Sequence, residues 1–265
     1  MTGSPVADLH VHTNASDGTL SLREIPDAAS NASLHTVALT DHDRFHPDLT
    51  DPVMTLDTIR IIRGIELKVS CPDGTHIDLL GYAAKRTREL AALIDRLQEN
   101  RVERAEEIIR NVEKELDISL PITIDDGIGR PHIAGAVSDH PAVSLSHNEV
   151  FDELIGDGRP CYVPREIPSL SEGKRILRNA CELVSVAHPL RYRHLTTAVS
   201  VATELGAIER WYPYKQSVDL NPIDRAIEQG SLIPTGGSDA HGRKLGQCGL
   251  DEHACQRVLS ALKIV

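Results

Sequence analysis

Aromatic side chains and positive charge are both scarce in this chain. Its 265 residues include two Phe, one Trp and five Tyr, and 28 Lys and Arg stand against 39 Asp and Glu, giving a formal net charge of −11. A stacking platform for single-stranded nucleic acid is hard to build from so few rings. The acidic balance disfavours binding to long nucleic acid or to an anionic membrane through a broad basic face. An anionic small substrate in a locally positive pocket stays possible.

Cysteine pairs and long apolar runs are lacking as well. The five cysteines are odd in number and form no Cys-x-x-Cys motif, which argues against a disulfide framework and a four-cysteine zinc site. Reduced thiols fit a reducing compartment, so we expect a cytoplasmic protein. No apolar run approaches the roughly 20 residues of a membrane span. The first residues lack the basic and apolar regions of a secretion signal, and we expect no export and no membrane insertion.

What the chain does contain is an alternation of short β-rich runs with helical patterns. Helices are predicted at 195–205, 219–230 and 251–262, and strands at 5–12, 36–40, 59–62, 75–82, 183–187, 207–211 and 232–235. Such alternation predicts an α/β fold with a parallel sheet, and the number of units favours closure into a barrel.

The pattern changes between residues 86 and 170. From 86 to about 117 the apolar residues recur at helical spacing, and further helices are predicted at 131–139 and around 149–155. We therefore expect a barrel domain made of residues 1–85 and 171–265, interrupted by a mainly helical insertion at 86–170.

Histidines and acids recur where the predicted strands end. His10 and His12 are two residues apart on one strand, so their side chains point to the same side and can converge. Ligands belong at the carboxyl ends of strands in α/β folds. A lone His-x-His is often a surface pair, but nine such residues are best explained by one multinuclear metal site for Zn²⁺, Mn²⁺ or Fe²⁺. They are His10, His12, Asp17, His42, Glu66, His76, His188, Asp239 and His241.

Taken in order, these motifs resemble those of the polymerase-and-histidinol-phosphatase (PHP) superfamily. The resemblance rests on residues 8–18 (DLHVHTNASDG), 40–43 (TDHD), 64–66 (GIE), 75–77 (THI), 187–189 (AHP) and 237–242 (GSDAHG). Residues 129–134 (GRPHIA) and 158–164 (GRPCYVP) are similar to one branch, in which a helical insertion interrupts the barrel. Known members of that branch hydrolyse nucleoside monophosphates, 3′,5′-bisphosphates or short 5′-phosphorylated RNA.

The resemblance implies a distorted (β/α)7 barrel with two to three divalent transition metals. On this reading the first metal is held by His10, His12, Glu66 and Asp239; the second by Glu66, His76 and His188; and the third by Asp17, His42 and His241. Glu66, His188 and Asp239 are the expected catalytic residues. The family often has an aromatic residue where this chain has Ala240, which leaves the shape of the pocket open there.

Four further residues are candidates for binding the substrate's phosphate. Arg130 and His132 lie in the insertion motif, Arg165 follows the second insertion motif, and Arg191 comes three residues after His188. Arginine's planar fork suits phosphate, although each could equally form a surface salt bridge.

The function expected from these features is hydrolysis of a small phosphate ester by metal-activated hydroxide. The expected substrates are a nucleoside 5′-monophosphate, a 3′,5′-bisphosphate or a short 5′-phosphorylated RNA. Three divalent cations would outweigh the charge of Asp17, Glu66 and Asp239 and leave the pocket positive. The alternatives are a histidinol-phosphate phosphatase, another metal-dependent hydrolase, and a non-catalytic PHP module.

Overall fold

A computed structural model describes residues 4–125 and 127–264 of the chain. The chain divides into two compact units. The first comprises the residues up to Ala92 together with those from Ile167 onward, and the second comprises Leu93–Glu166. The insertion expected at 86–170 is slightly wider than this second unit.

The first unit is built on one mixed, curled sheet. Its strands are β1 (Ala7–Val11), β2 (Thr36–Leu39), β3 (Val53–Leu56), β4 (Ile59–Ser70), β5 (His76–Tyr82), β6 (Leu183–Val186), β7 (Ala207–Trp211) and β8 (Ile233–Gly236). Their order in the sheet is β1-β2-β4-β5-β6-β7-β8, with β3 paired to β4. The fold is therefore mixed α/β, and seven strands lie along the main path of the sheet.

The expected parallel arrangement holds at both ends of this path but not in its middle. β1, β2 and β4 pair in parallel, as do β6, β7 and β8. By contrast, β5 runs antiparallel to both β4 and β6. The short connection between β4 and β5, residues 71–75, is too short for the crossover that a parallel pair requires. Gly74, with φ of +80°, occupies that turn.

The segment after β8 returns to the first strand. Ala240 forms a parallel bridge with Val11, and the His12 amide donates a 2.9 Å hydrogen bond to the Ala240 carbonyl oxygen. The Ala240 side chain is buried in the core cluster that contains Val11, Leu20 and Leu245. The small residue at this position thus belongs to the packing between the two ends of the sheet.

Eight α-helices accompany the strands in the described residues. They are α1 (Ile25–Asn31), α2 (Arg88–Leu116), α3 (Arg130–Ser138), α4 (His147–Val150), α5 (Leu170–Ala180), α6 (Leu195–Leu205), α7 (Asn221–Gly230) and α8 (Glu252–Ala261). α1, α6 and α7 supply crossovers between parallel strands. α5 and α8 begin at side-chain caps, where Ser169 accepts from the Glu172 amide and Asp251 from the Ala254 amide.

Strand β1 shows how the sequence places the site. Its apolar residues Ala7, Leu9 and Val11 alternate with Asp8 and His10, and all five are fully or almost fully buried. Successive side chains point to opposite faces of a strand. One face therefore packs into the hydrophobic core, where each buried Val or Leu contributes about 1.5–3 kcal/mol. The other face carries the buried polar side chains of Asp8 and His10.

The second unit has a hydrophobic core of its own. Ile108 and Val112 of α2 pack in one cluster with Ile133 of α3, Val150 of α4 and Ile155. Across the described residues, none of the helices is both long enough and apolar enough to cross a membrane.

A glycine next to the site gives a test of this packing. A Cβ on Gly237 would lie 2.3 Å from the backbone nitrogen of His10 and 2.8 Å from Asp8 Oδ1, whereas a Cβ on Gly242 would meet no described atom within 4 Å. We expect Gly237→Ala to lower the free energy of unfolding by about 1–3 kcal/mol through overpacking. Gly242→Ala is the matched control and should change it by less than about 0.5 kcal/mol. Equal stabilities in urea denaturation would contradict the close approach.

Candidate metal centre

Glu66 lies at the middle of a cluster of histidines. It sits in β4, is 1% exposed, and faces side chains from three other parts of the sheet. Its Oε2 lies 2.9 Å from His42 Nδ1 and 3.4 Å from His12 Nε2. Its Oε1 lies 3.1 Å from His188 Nε2 and 3.5 Å from His10 Nε2. A single buried carboxylate is therefore shared by four imidazoles.

Two further carboxylates complete the surroundings of these rings. Asp239, directly after β8, places Oδ1 3.2 Å from His12 Nε2 and 3.4 Å from His10 Nε2. Asp17 places Oδ1 3.3 Å from His241 Nε2 and Oδ2 3.6 Å from His42 Nε2. The segments after β1, β2, β6 and β8 thus converge on one point, as expected for strand ends in an α/β sheet.

The donor atoms fall into three groups that could each hold a metal ion. Within each group all donor atoms lie within 4.8 Å of one another. The groups are His10, His12 and Glu66; Glu66, Asp78 and His188; and His12, Asp17, His42 and His241. These eight residues and Asp239 are together called the histidine–carboxylate centre below.

One predicted ligand, His76, is not part of this centre. His76 is exposed at the start of β5, where it pairs with Ser70. Asp78 instead joins Glu66 and His188. Both residues point to the same face of β5, but His76 is two residues, or roughly 7 Å, further along the strand. The structure thus brings Asp78, and not His76, to this group, and the sequence pattern did not single out Asp78.

Several donor atoms of the centre fit a bound cation because they are buried and the polar atoms that they face are themselves donor atoms of the centre. Among the described residues, His10 Nε2, both nitrogens of His12 and Glu66 Oε2 form no well-directed hydrogen bond although all are buried, and the charged atoms near them belong to the centre. Buried polar atoms are normally hydrogen-bonded, and leaving them unpaired costs roughly 1–3 kcal/mol each. Imidazole nitrogens beside carboxylate oxygens are the donors that Zn²⁺, Mn²⁺ and Fe²⁺ accept.

The electrostatics of the centre follow from placing acids and imidazoles together. Burial opposes the charge on Glu66, but His42 and His10 outweigh it and hold the pKa of the carboxyl well below its ordinary value. The pKa of Asp239 is lowered in the same way, with burial opposed by His10 and His12. Burial lowers the pKa of His12, and the neighbouring His42 lowers it further. The carboxylates are thus held as anions, ready to bind a cation.

Two buried carboxylates hold the backbone that carries the centre. Asp8 accepts hydrogen bonds from the backbone amides of Ser238 at 2.9 Å and Gly246 at 2.9 Å, and from the Ser238 hydroxyl. Asp41 accepts from the amide and hydroxyl of Thr13, both at 2.8 Å, and from the Ser16 hydroxyl at 2.7 Å. These bonds fix the turns leading to Asp239 and Asp17.

Two residues outside the predicted set contact the second nitrogen of a centre histidine. Glu209 of β7 is fully buried, and its Oε1 lies 3.0 Å from His10 Nδ1. The Tyr192 hydroxyl lies 3.0 Å from His188 Nδ1. Partners of this kind fix the ring and the tautomer of a metal ligand. The available signal for Glu209 was an acid directly after two apolar residues, Ala207 and Ile208, inside a predicted strand.

Of the four predicted substrate-binding residues, Arg191 lies next to the centre. Its Nη1 is 3.4 Å from Asp239 Oδ2 and 3.0 Å from the Tyr212 hydroxyl, which itself donates to Asp239 Oδ2 at 2.9 Å. Its side chain is half exposed, so part of the guanidinium faces solvent.

The other three, Arg130, His132 and Arg165, belong to the second unit. Arg130 Nη1 donates to Asp157 at 2.9 Å, and the guanidinium lies over the Tyr162 ring. His132 Nδ1 accepts from the Gly129 amide at 3.1 Å. Arg130 and Arg165 both act on Arg104, whose pKa is lowered to about 10, first by burial and then by these neighbouring charges. The second unit therefore contains a cluster of arginines.

Comparison with known proteins supports the chemistry of this centre. The PHP domain model matches residues 8–202, which is most of the chain. A 3′,5′-nucleoside bisphosphate phosphatase from Chromobacterium violaceum is 31% identical over 198 residues, covering 70% of this chain and 67% of that protein. A 5′-3′ exoribonuclease from Haemophilus influenzae is 29% identical over 194 residues, covering 70% and 69%.

Another relative aligns with nearly the whole chain. A phosphoribosyl 1,2-cyclic phosphate 1,2-diphosphodiesterase from Eggerthella lenta is 24% identical over 261 residues, covering 90% of this chain and 95% of that protein. Two solved structures share the fold: a protein described as a metal-dependent phosphoesterase from Bifidobacterium adolescentis (TM-score 0.76, 21% identity, 98% of each chain) and an amidohydrolase from Chromobacterium violaceum (TM-score 0.75, 23% identity, 97% and 96%).

The fold, the buried donor set and these relatives define the class of protein. It is a metal-dependent phosphoesterase, a hydrolase of phosphate esters. The chain belongs to the PHP family.

Glu209 offers a test of how the centre is supported. Because its carboxylate holds His10 through Nδ1, Glu209→Gln should weaken the binding of Mn²⁺ by roughly 10–100-fold. Glu228→Gln on the exposed face of α7 is the matched control and should leave affinity unchanged. Calorimetric titration of the chelator-treated protein measures both. Unaltered affinity in a folded Glu209→Gln protein would remove Glu209 from this role.

The pKa of His241 gives a pH-dependent prediction for the metal-free protein. Burial lowers this pKa, but the hydrogen bond and charge of Asp17 outweigh burial and raise it above 6.5. The stabilising contribution is thus fully present below pH 6.5 and is lost as the pH rises through the folded-state pKa. We expect His241→Gln to cost up to about 1 kcal/mol at pH 6 and nothing at high pH, since the ring is partly exposed. Urea denaturation in chelator at pH 6 and pH 9 measures this, with the exposed His253→Gln as control; a cost that grows with pH would contradict it.

Proposed function

We propose that this chain hydrolyses phosphate esters of small nucleotides: a nucleoside 5′-monophosphate, a 3′,5′-bisphosphate or the end of a short 5′-phosphorylated RNA. The observation that carries the proposal is Glu66, one buried carboxylate that lies within 3.5 Å of a nitrogen of each of four imidazoles. A shared carboxylate is what a centre of two or three closely spaced cations requires. The names of the bisphosphate phosphatase and the exoribonuclease support the substrate class.

The proposed ligands follow the three groups of the centre. His10, His12, Glu66 and Asp239 would hold the first cation, Glu66, Asp78 and His188 the second, and Asp17, His42 and His241 the third. Mn²⁺, Zn²⁺ and Fe²⁺ all accept this donor set. When bound, such cations lower the pKa of a bound water molecule toward neutrality and neutralise charge on phosphoryl oxygens.

The chain's own residues would position the substrate and the reacting groups. His10 and His12 are fully buried, whereas His42, His241 and Arg191 are partly exposed, so the centre is open on one side. Arg191 would donate to a phosphate oxygen from this open side, and Tyr212 would hold Asp239. Glu66, His188 and Asp239 are the proposed catalytic residues because they surround the same point.

Arg130, His132 and Arg165 stay predictions as substrate-binding residues. Their support is the clustering of positive charge in the second unit, where Arg130 and Arg165 lower the pKa of Arg104. Like charges placed together are costly unless an anion offsets them, and arginine binds phosphate with two parallel hydrogen bonds.

The same proposal includes two finer assignments. A distorted (β/α)7 barrel is supported by the seven-strand path and by the bridge between Val11 and Ala240. A cytoplasmic location is supported by the five cysteines, all of them free thiols.

A second candidate substrate is favoured by one observation. The Eggerthella lenta relative, named for a phosphoribosyl cyclic phosphate, aligns with 90% of this chain, compared with 70% for the two nucleotide hydrolases. A sugar cyclic phosphodiester, opened at the same centre, is therefore the alternative.

The test is a substrate panel with added Mn²⁺. AMP, 3′,5′-bisphosphoadenosine, a 5′-phosphorylated oligoribonucleotide, phosphoribosyl 1,2-cyclic phosphate and histidinol phosphate are assayed for product release. Turnover of one of the first three supports the proposal, and turnover of the cyclic phosphate alone selects the alternative. His12→Ala and Asp239→Ala should each reduce kcat at least about 100-fold by removing a ligand. The exposed His253→Ala should retain full activity, and hydrolysis of none of the five compounds would refute the proposal.

A further inference from the structure

Lys68 brings a positive charge to the edge of the histidine–carboxylate centre. It lies directly opposite Asp78 in the antiparallel ladder of β4 and β5. Its Nζ is 2.5 Å from Asp78 Oδ1, and its side chain is 33% exposed, against 8% for Asp78. The ammonium therefore holds one oxygen of a carboxylate that belongs to the group Glu66, Asp78 and His188.

The orientation of Asp78 is fixed by its other contacts. Its Oδ2 lies 3.7 Å from His188 Nε2 and 3.4 Å from the Tyr192 hydroxyl. Its backbone amide donates to the same hydroxyl at 2.8 Å. One oxygen thus faces the donor group while the other faces Lys68, and the carboxylate cannot turn away from either without losing contacts.

This pairing differs from the partners of the other carboxylates. Asp17 and Glu66 are contacted by imidazoles, which can give up a proton and become ligands themselves. A lysine ammonium has three donors and no acceptor, so it cannot ligate a cation. Arg191 is also a cation, but its 3.4 Å contact with Asp239 is longer and its side chain is half exposed.

We propose that Lys68 competes for the Asp78 carboxylate with the cation that Glu66, Asp78 and His188 would hold. Its charge occupies Asp78 and repels a divalent ion at this position, so the group binds its cation weakly and exchanges it readily. The inference rests on the proposed function only in requiring divalent cations at the centre.

The test measures binding rather than turnover. Chelator-treated protein is titrated with Mn²⁺, and free Mn²⁺ is followed by electron paramagnetic resonance alongside calorimetry. Lys68→Met keeps the apolar stem and removes the charge, so the weakest binding step should tighten about tenfold while the other steps stay within about twofold. Lys68→Arg keeps the charge and should remain near the wild-type value. Asp78→Asn should abolish this same step, which assigns it to the group.

Lys85→Met is the matched control. Lys85 forms a comparable ion pair, 2.6 Å from Glu182, with no residue of the centre, and its removal should not alter Mn²⁺ binding. The inference would be overturned if Lys68→Met bound Mn²⁺ at the weakest step no more tightly than the wild type, while Lys68→Arg was folded and bound Mn²⁺ normally. That result would leave the proposed function standing. A wild-type chain that binds no Mn²⁺ would overturn both.

Discussion

The burial of the Glu66 carboxylate is the constraint on which the rest of the site depends. An ionised carboxylate taken out of water is costly unless charges and hydrogen bonds compensate it. Here the compensation comes from His10, His42 and His188, on three different strands or strand ends, and each contact draws one of them to the same point. The sheet must therefore curl, because in a flat sheet β1 and the end of β6 could not both reach the side chain of β4.

Support for the centre is layered around this carboxylate. Asp8 and Asp41 bind backbone amides and hydroxyls, so they fix where the ligand-bearing turns lie. Glu209 and Tyr192 contact ring nitrogens, so they fix how His10 and His188 are rotated. Burial raises the pKa of Asp8 and of Glu209 above the ordinary value, whereas at Glu66 the neighbouring imidazoles outweigh burial and the pKa is lowered. The Glu66 carboxylate, which faces imidazoles on several sides, is therefore held as an anion. The Asp8 and Glu209 carboxyls ionise less readily because burial dominates their pKa.

Much of the placement of these histidines and acids could be predicted from sequence because it depends on local patterns. The i, i+2 spacing of His10 and His12 requires only a strand, and the positions of His42, His188 and Asp239 require only that strands end there. The spans of α6 and β7 agree with the pattern, since hydrophobic periodicity and a terminal glycine define them. By contrast, β3 was not predicted, because its four residues become a strand by pairing with β4. The helix α5 was not predicted either, although Ser169 caps it and its buried residues recur at helical spacing.

The position of His76 outside the three groups has a different cause, which is the register of β4 and β5. A parallel sheet with a ligand near one end of each strand predicts His76, but the antiparallel ladder sets Lys68 against Asp78 and leaves His76 at the exposed turn. The register of a ladder depends on the turn and on both faces of the neighbouring strands, so it cannot be read from the local pattern of one amino-acid sequence. The same register places an ammonium beside a carboxylate of the centre. The antiparallel pair in the middle of the sheet thus determines both which acid joins Glu66 and which cation that acid already holds.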